Sequence, residues 1–352
     1  MPLNELLNSP CEWLRGEGPD NDIVMSSRIR LARNLNGYPF TQKLSKDERV
    51  SLIKEVKESM AKCSKLKETF FLMNQNLTEI DKQFLVERHL ISTEHAIKSE
   101  EAAICLTKNE IISVMILEED HLRVQVLQSG FDLENCWKII NKLDSELEER
   151  LSFAFNNKLG YLTACPTNVG TGLRASCMMH LPSLVMTKQI NKVLQAMSKL
   201  NLAVRGLYGE GTEASGNFFQ ISNQSTLGQS EQDIIDSFSR VIKQVIDNER
   251  EARKTLTEKK QDKFFDQIWR ALGILKSARI ISSREATGLL SMLRLGVDLN
   301  IIKNLDREQL NKLVISSQPA HLQKRKDHPL SSSERDVERA GLIRSSLKNV
   351  EI

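Results

Sequence analysis

Residues Leu117-Glu118-Glu119-Asp120-His121-Leu122-Arg123 set three adjacent carboxylates, a histidine and an arginine between two apolar runs, Ile111 to Ile116 and Val124 to Leu127. Both runs read as strands. Acids crowded between strands do not build a core, because a buried charge is costly unless it is paired. The segment is therefore a loop facing a site, and a cationic ligand would supply its missing partner. Arg205-Gly206-Leu207-Tyr208-Gly209-Glu210-Gly211-Thr212-Glu213 repeats the same chemistry in a glycine-rich turn. Two acidic loops beside an unusual set of arginines imply a guanidinium held next to a polyphosphate.

The arginines carry the second half of that reading. Arg28 and Arg30 lie two apart in a strand expected over Ile23 to Arg30. Residues two apart on a strand share a face, so the pair repels unless an anion lies between. Arg123 closes the first acidic loop, and Arg174 and Arg205 sit in glycine-bearing segments. A planar guanidinium binds phosphate bidentately and stays charged. Any one of these arginines alone reads as a surface ion-pair residue; only the set is diagnostic.

Thr163-Ala164-Cys165-Pro166-Thr167-Asn168-Val169-Gly170-Thr171-Gly172-Leu173-Arg174 is not a nucleotide-binding loop of the G-x-x-x-x-G-K-[ST] type. Such a turn can still aim backbone N–H groups at an anion. The Thr167 hydroxyl is placed to donate to the Cys165 sulfur, which favours a thiolate beside a cationic substrate. Taken alone, Cys165 reads as a small buried hydrophobe.

With 352 residues the chain has room for two domains. No apolar run reaches the roughly 18 residues of a membrane span, and the N-terminus lacks the pattern of a signal peptide. The six cysteines are scattered without a C-x-x-C pair, which argues against a disulfide framework or a zinc site and for a reducing cytoplasm. Net charge is +3, unevenly spread: residues 251–352 carry +7 and residues 1–250 carry −4. The basic C-terminal part reads as solvated helix faces, or as a surface for an acidic partner.

Strands are expected also at Ala103 to Leu106, Ala203 to Arg205 and Phe218 to Ser222, and helices at Leu3 to Leu7, Ser45 to Cys63, Asp132 to Leu151 and Leu184 to Leu200. They do not alternate strictly, so the expected fold is α+β with a largely antiparallel sheet flanked by helices. After Gly228 the pattern is helical throughout, at about 231–257, 260–276, 283–295, 306–316 and 334–347, with Ser230 and Ser333 as caps of the first and last. The expected division is a catalytic domain over 1–255 and an all-α domain over 256–352.

Together these segments resemble the ATP:guanidino phosphotransferase family, which includes creatine and arginine kinases. The resemblance rests on Ser26-Ser27-Arg28-Ile29-Arg30, Glu118 to Arg123, Cys165 to Arg174, Arg205-Gly206 with Gly209-Glu210, and Ile221-Ser222-Asn223, in the family's order. It implies transfer of the ATP γ-phosphoryl group to a guanidinium nitrogen. ATP is implied at Ser27, Arg28, Arg30, Arg123, Arg174 and Arg205. The two catalytic acids correspond to Glu119 and Glu210, and the reactive cysteine to Cys165. Glu118, Asp120 and Glu213 are left to serve the loop or the water shell of Mg2+, and His121 is structural. Mg2+ is expected to be bound through the nucleotide, with no protein metal site.

Two departures narrow the match. The motifs begin near residue 25, so the helical N-terminal domain of about a hundred residues that phosphagen kinases carry is expected to be absent. A helical C-terminal domain takes its place, as in the bacterial protein-arginine kinases, which implies an acceptor arginine on a protein. That resemblance also implies marking of proteins for a ClpC-type protease component, a CtsR-type heat-shock repressor, an McsA-like zinc-binding activator and a homodimer or higher oligomer. No direct nucleic-acid or membrane contact is expected. The R-D-x-x-R-A segment implies phosphoarginine binding at Arg335, Asp336 and Arg339; by itself it reads as an ordinary capped helix with charge pairs. Met178 stands where phosphagen kinases have a histidine near the nucleotide base. Two alternatives stay open: a kinase for free arginine or another small guanidino compound, and a phosphoarginine-binding protease adaptor. The presence of Glu119, Glu210 and all five arginines argues against lost catalysis.

Overall fold

Side-chain alternation along Val24–Arg33 (β1) builds the centre of the fold. Ile29 and Leu31 are fully buried on one face, while Arg28 and Arg30 point to the other. The computed structural model describes residues 3–8, 11–98, 101–206, 215–259 and 261–350. Its further strands are β2 (Thr69–Met73), β3 (Ala103–Thr107), β4 (Ile112–Ile116), β5 (Leu122–Ser129), β6 (Phe155–Asn156), β7 (Gly160–Tyr161), β8 (Leu173–His180), β9 (Leu202–Gly206) and β10 (Phe218–Asn223). Eight of them form one antiparallel sheet in the order β2-β3-β4-β5-β1-β8-β10-β9, and β6 pairs with β7 as a separate hairpin.

The helices are α1 (Leu3–Asn8), α2 (Lys46–Met60), α3 (Glu79–Glu87), α4 (Thr93–Ala96), α5 (Leu133–Glu148), α6 (Pro182–Met186), α7 (Ile190–Lys199), α8 (Glu231–Lys259), α9 (Gln261–Ser277), α10 (Ser283–Asp298), α11 (Arg307–Ser316), α12 (Pro319–Lys324) and α13 (Ser332–Ser346). Local chemistry explains their starts. Ser45 and Glu48 form a capping box on α2, and the Asp132 carboxylate accepts from Asn135 N at the start of α5. Leu133, Cys136, Ile140, Leu143 and Leu147 recur at helical spacing and are all buried, which fixes the face α5 turns to the sheet. None of the described helices is long and apolar enough to cross a membrane.

The sheet has two covered faces. Ile29, Val126 and Ala175 pack in one core with Val56 of α2, Ile140 of α5 and Phe238 of α8. On the opposite face Met25, Leu127, Met178 and Phe218 share a second core with Phe264 of α9, Leu290 of α10 and Ile343 of α13. Each such fully buried side chain contributes roughly 1.5–3 kcal/mol. Helix α8 changes partners along its length: Ile234 to Ala252 belong to the first core, Leu256 to the second. Helices α9, α10, α11 and α13 therefore cover one end of the very sheet face that carries the arginines.

Three expectations are corrected. The helix expected over Leu184 to Leu200 is two, broken where Lys188 adopts φ 60°. Glu249 of α8 accepts from Ser183 N (3.0 Å) and Leu184 N (2.9 Å), which satisfies the start of α6, and Thr187 Oγ1 donates back to Ser183 O (2.7 Å). The last helix is capped two residues earlier than expected. Ser331 Oγ accepts from Glu334 N and Ser331 N donates to Glu334 Oε2 (2.7 Å), so Glu334 selects Ser331 over Ser333. Finally, Leu173–His180, of which only Leu173 and Arg174 were read, as the end of a glycine-bearing segment, is a central strand between β1 and β10.

Candidate active site

Strand register brings the arginines together. Arg30 lies directly opposite Arg174, and Arg28 opposite Ser176 on β8 and Leu127 on β5. Arg123 is four residues from Leu127, and Arg205 faces Gln220, which faces Met178, four residues from Arg174. Even spacings along paired strands put all five guanidinium side chains on one sheet face. Arg30, Arg123, Arg174 and Arg205 line an open cleft of about 670 Å3 with Glu119 and Cys165.

Among the described residues, Arg28 and Arg30 on this face form no ion pair, whereas Arg123 pairs with Glu118 and Glu119. Arg28 meets neutral partners among them, donating to Ser176 Oγ (3.2 Å) and Gln220 Oε1 (2.8 Å). Arg30 Nε is buried without a hydrogen-bond partner among the described residues. Burial, then the charges of Arg123, Arg174 and Arg205, lower the Arg28 guanidinium to about 10. Arg30 is pushed well down by burial and by Arg28, Arg123 and Arg174, and Arg174 is lowered by burial, Arg205 and Arg123. A polyanion lying across the strands would relieve all three.

The acidic loop is built in a graded way. Glu118 is fully buried, bonded to the Ser92 hydroxyl and paired with Arg123 at 2.6 Å. Asp120 is buried and accepts from Asn34 Nδ2 (2.7 Å) and Ala164 N (2.6 Å). His121 is buried; its Nδ1 accepts from Leu35 N (3.0 Å) and its Nε2 lies 2.9 Å from Pro39 O. Glu118 and Glu119 both line the cleft, but of the three acids only Glu119 is exposed there, at 39%, with its carboxylate 3.2 Å from Arg123. Burial raises its carboxyl above the usual range; Arg123 opposes the shift, and Asp120 and Glu118 add to it.

Cys165 stands at the start of a short turn, Pro166–Asn168, half-buried, with its sulfur 3.0 Å from Thr167 Oγ1. The bond from Ala164 N to Asp120 ties this turn to the acidic loop. From below, buried Arg33 holds the same stretch by donating to Thr171 O (2.9 Å), pairing with Asp144 (2.7 Å) and lying 3.5 Å from the Tyr161 ring centre.

Not every expected residue arrives. Ser27 is not brought to the cleft: it is fully buried on the opposite face, where its hydroxyl donates to Gly130 O (2.9 Å) and accepts from Asp132 N (3.0 Å). Met178 is buried beside Arg28, under the C-terminal helices. Glu210 and Glu213 lie outside the described residues. Arg335, Asp336 and Arg339 sit on α13 and do not line the cleft. Arg339 is buried, with Nε on Ser317 O (2.8 Å), Nη1 on Ile281 O (2.9 Å) and Asp336 as its ion-pair partner, whereas Arg335 and Asp336 are half-buried. On the cleft rim the structure adds Ser92, Glu94 and Lys98. Nothing in the sequence marked them, because folding alone brings the α4 region to the acidic loop.

Comparison with known proteins agrees with this arrangement. Residues 51–252 match the family model for the ATP:guanido phosphotransferase C-terminal catalytic domain, and residues 261–352 match that for the protein-arginine kinase McsB C-terminal domain. The protein-arginine kinase of Halothermothrix orenii is 48% identical over 348 residues, covering 99% of both chains. That of Desulforamulus reducens is 46% identical over 354 residues, with 99% of each covered. Among solved structures, a lombricine kinase aligns with TM-score 0.58 at 25% identity over 67% of this chain and 68% of its own. A duplicated taurocyamine kinase from Schistosoma mansoni aligns with TM-score 0.59 at 26% identity, over 75% of this chain and 38% of its own. The chain belongs to the ATP:guanidino phosphotransferase family, in the branch of the protein-arginine kinases.

Proposed function

We propose that this protein transfers the γ-phosphoryl group of ATP to arginine side chains of proteins. The observation that carries the reading is the single sheet face on which Arg28, Arg30, Arg123, Arg174 and Arg205 converge beside Glu119. The full-length likeness to protein-arginine kinases selects the acceptor.

Phosphoryl transfer is mostly positioning and charge stabilisation. The five arginines hold the triphosphate and neutralise charge on its oxygens. A guanidinium is protonated, planar and weakly nucleophilic, with a pKa above about 12. Glu119 and Glu210 clamp its N–H groups and align one nitrogen with the γ-phosphorus. As the N–P bond forms, the P–O bond to the β,γ-bridging oxygen breaks, ADP leaves, and the nitrogen's proton passes to a carboxylate. Cys165, with its sulfur 3.0 Å from Thr167 Oγ1, stands on the wall of the cleft that takes the substrate guanidinium. Mg2+ would be held through the nucleotide phosphates and water, and would neutralise charge on the transferring group. Glu118 and Asp120 are buried and already engaged, which favours a loop role for them over a metal role.

The same reading assigns 1–255 to catalysis and 256–352 to regulation, supported by the change of core along α8. Arg335 and Asp336 take phosphoarginine, with Arg339 fixing the helix that presents them. An McsA-like activator, a CtsR-type repressor, a ClpC-type component, self-association and a cytoplasmic setting complete the proposal; six unpaired cysteines suit that setting.

The experiment is a competition. ADP release is followed with an unfolded, arginine-containing protein and with free arginine at equal guanidinium concentration. Faster turnover with the protein is expected. Turnover on free arginine alone would replace this function with that of a small-guanidine kinase.

A further inference from the structure

Helix α4 and its flanking residues lie along one wall of the cleft, and none of the catalytic assignments uses them. Ser92, Glu94 and Lys98 all line the opening that Glu119 lines. Their placement is fixed from below. Ser92 Oγ accepts from His95 N (2.9 Å), which caps the helix, and bonds to the buried Glu118 carboxylate, itself paired with Arg123. Asn74 Nδ2 donates to His95 O (3.3 Å), and His95 and Ala96 are buried. With those two turned inward, Glu94 is left exposed on the cleft side.

The carboxylates of the cleft are not equivalent. Glu118 is buried and engaged with Arg123, and Glu119 is assigned to the acceptor nitrogen. Glu94 accepts from Thr93 Oγ1 (3.2 Å) and forms no ion pair among the described residues. Burial works against its charge, but its own N–H, Thr93, Arg123 and Ser92 outweigh burial and hold the carboxyl below the usual range. Glu94 is therefore ionised at neutral pH. Its charge in turn joins burial, Asp120 and Glu118 in raising Glu119 against the pull of Arg123. A guanidinium clamped by Glu119 thus has a second fixed negative charge near it, at the rim. A protein acceptor brings its neighbouring side chains to that rim. In an extended chain the residue two positions away lies about 7 Å off on the same face.

We propose that Glu94 is a specificity-determining residue, whose carboxylate takes a cationic side chain next to the acceptor arginine of a protein substrate. The inference rests on the protein-arginine kinase reading above and deepens it by naming the preferred acceptors, arginines with lysine or arginine neighbours. An exposed ion pair is weak and screened by salt, so Glu94 sets a preference and not an absolute requirement.

The test uses the full chain and one unfolded protein with a single arginine, made in three versions that flank it on both sides with lysine, alanine or glutamate. Phosphoarginine formed gives kcat/KM for each version with wild type, Glu94→Gln and Glu94→Lys. Wild type should favour lysine flanks over glutamate flanks by about tenfold at low salt. Glu94→Gln should narrow that ratio to within about twofold, and Glu94→Lys should invert it. Nucleotide KM, and kcat at saturating acceptor, should stay within about twofold in Glu94→Gln, because no contact to the phosphates or the reacting nitrogen is lost. A residue that merely shaped the wall would slow all three versions alike and could not invert the ratio. Equal kcat/KM for the three versions in wild type, or an unchanged ratio in Glu94→Gln, overturns the inference and leaves the kinase reading standing. So does a wild-type preference for glutamate flanks, which would assign the rim to Lys98. Absence of phosphoarginine on every version with wild type overturns the kinase reading and the inference with it.

Discussion

Arg30 and Arg174 stand directly opposite each other across the β1–β8 pair, two cations where a sheet normally places complementary partners. Their repulsion opposes folding and is relieved only by an anion. Arg30→Met should therefore raise the melting temperature of the nucleotide-free protein by about 1–3 °C. It should also abolish the further stabilisation that ATP gives the wild type. Thermal scans with and without ATP check both. A variant that melts lower without nucleotide would mean that Arg30 is a structural residue.

Arg174→Lys keeps the charge and loses the planar fork. Turnover is expected to fall by at least about tenfold, with a smaller loss of nucleotide affinity, because the fork matters most where charge develops on the transferring group. Steady-state kinetics with a protein substrate give the answer; unchanged turnover would place Arg174 outside the phosphate contacts.

The raised Glu119 carboxyl has two signs to check. In kcat/KM, which reports the free enzyme, the acid limb should fall above the ordinary carboxylate value of about 4.3 and move in Glu119→Gln. For stability, the folded chain holds a proton that the unfolded chain releases. Stability therefore declines as pH rises from the unfolded value through the raised folded one. Glu119→Gln removes that decline and should melt slightly higher at pH 7. A limb unaffected by the substitution would assign the titration elsewhere.

How far the sequence carried these assignments depended on whether a feature was local. The helices α2, α5 and α8, the apolar spacing of the latter two and the Ser230 cap were readable, and so was the arginine set. Strand β8 was not read as a strand, because Arg174, Ser176 and Met178 line a cleft floor and do not show the alternation of an exposed face. Ser27 looked like a phosphate ligand beside Arg28, but alternation turns it to the other face, where it locks the start of α5. Arg339 looked like an open donor; only tertiary packing shows its guanidinium bonded to Ser317 and Ile281.

Asp120 joins the acidic loop to the Cys165 turn. Asp120→Ala would leave Ala164 N without its acceptor and remove one of the two bonds Asn34 Nδ2 donates, the other going to Leu162 O, at about 1–3 kcal/mol. The thiol at Cys165 should change its alkylation rate in this variant, and Thr167→Val should slow alkylation by removing the hydroxyl at 3.0 Å. The other five cysteines are buried, so labelling of the native protein should report Cys165. Equal labelling of Cys165→Ser would assign the reactive thiol to another position.

On α13 Arg339 is buried and bonded, whereas Arg335 and Asp336 are half-buried. Arg339→Ala should lower the melting temperature, since it removes a buried guanidinium that satisfies two carbonyls. Arg335→Ala with Asp336→Ala should abolish phosphoarginine binding at α13 while basal transfer survives. Calorimetry with phosphoarginine decides, and unchanged affinity in the double variant would remove the pocket.

The most direct measurement is mass spectrometry, without acid treatment, of an arginine-containing protein after incubation with ATP and Mg2+. Wild type and Glu119→Gln are run in parallel. The account predicts phosphoarginine on the protein with the wild type and at least roughly a hundredfold less with the variant. Equal phosphoarginine in both reactions, or none with the wild type and its activator, would contradict it.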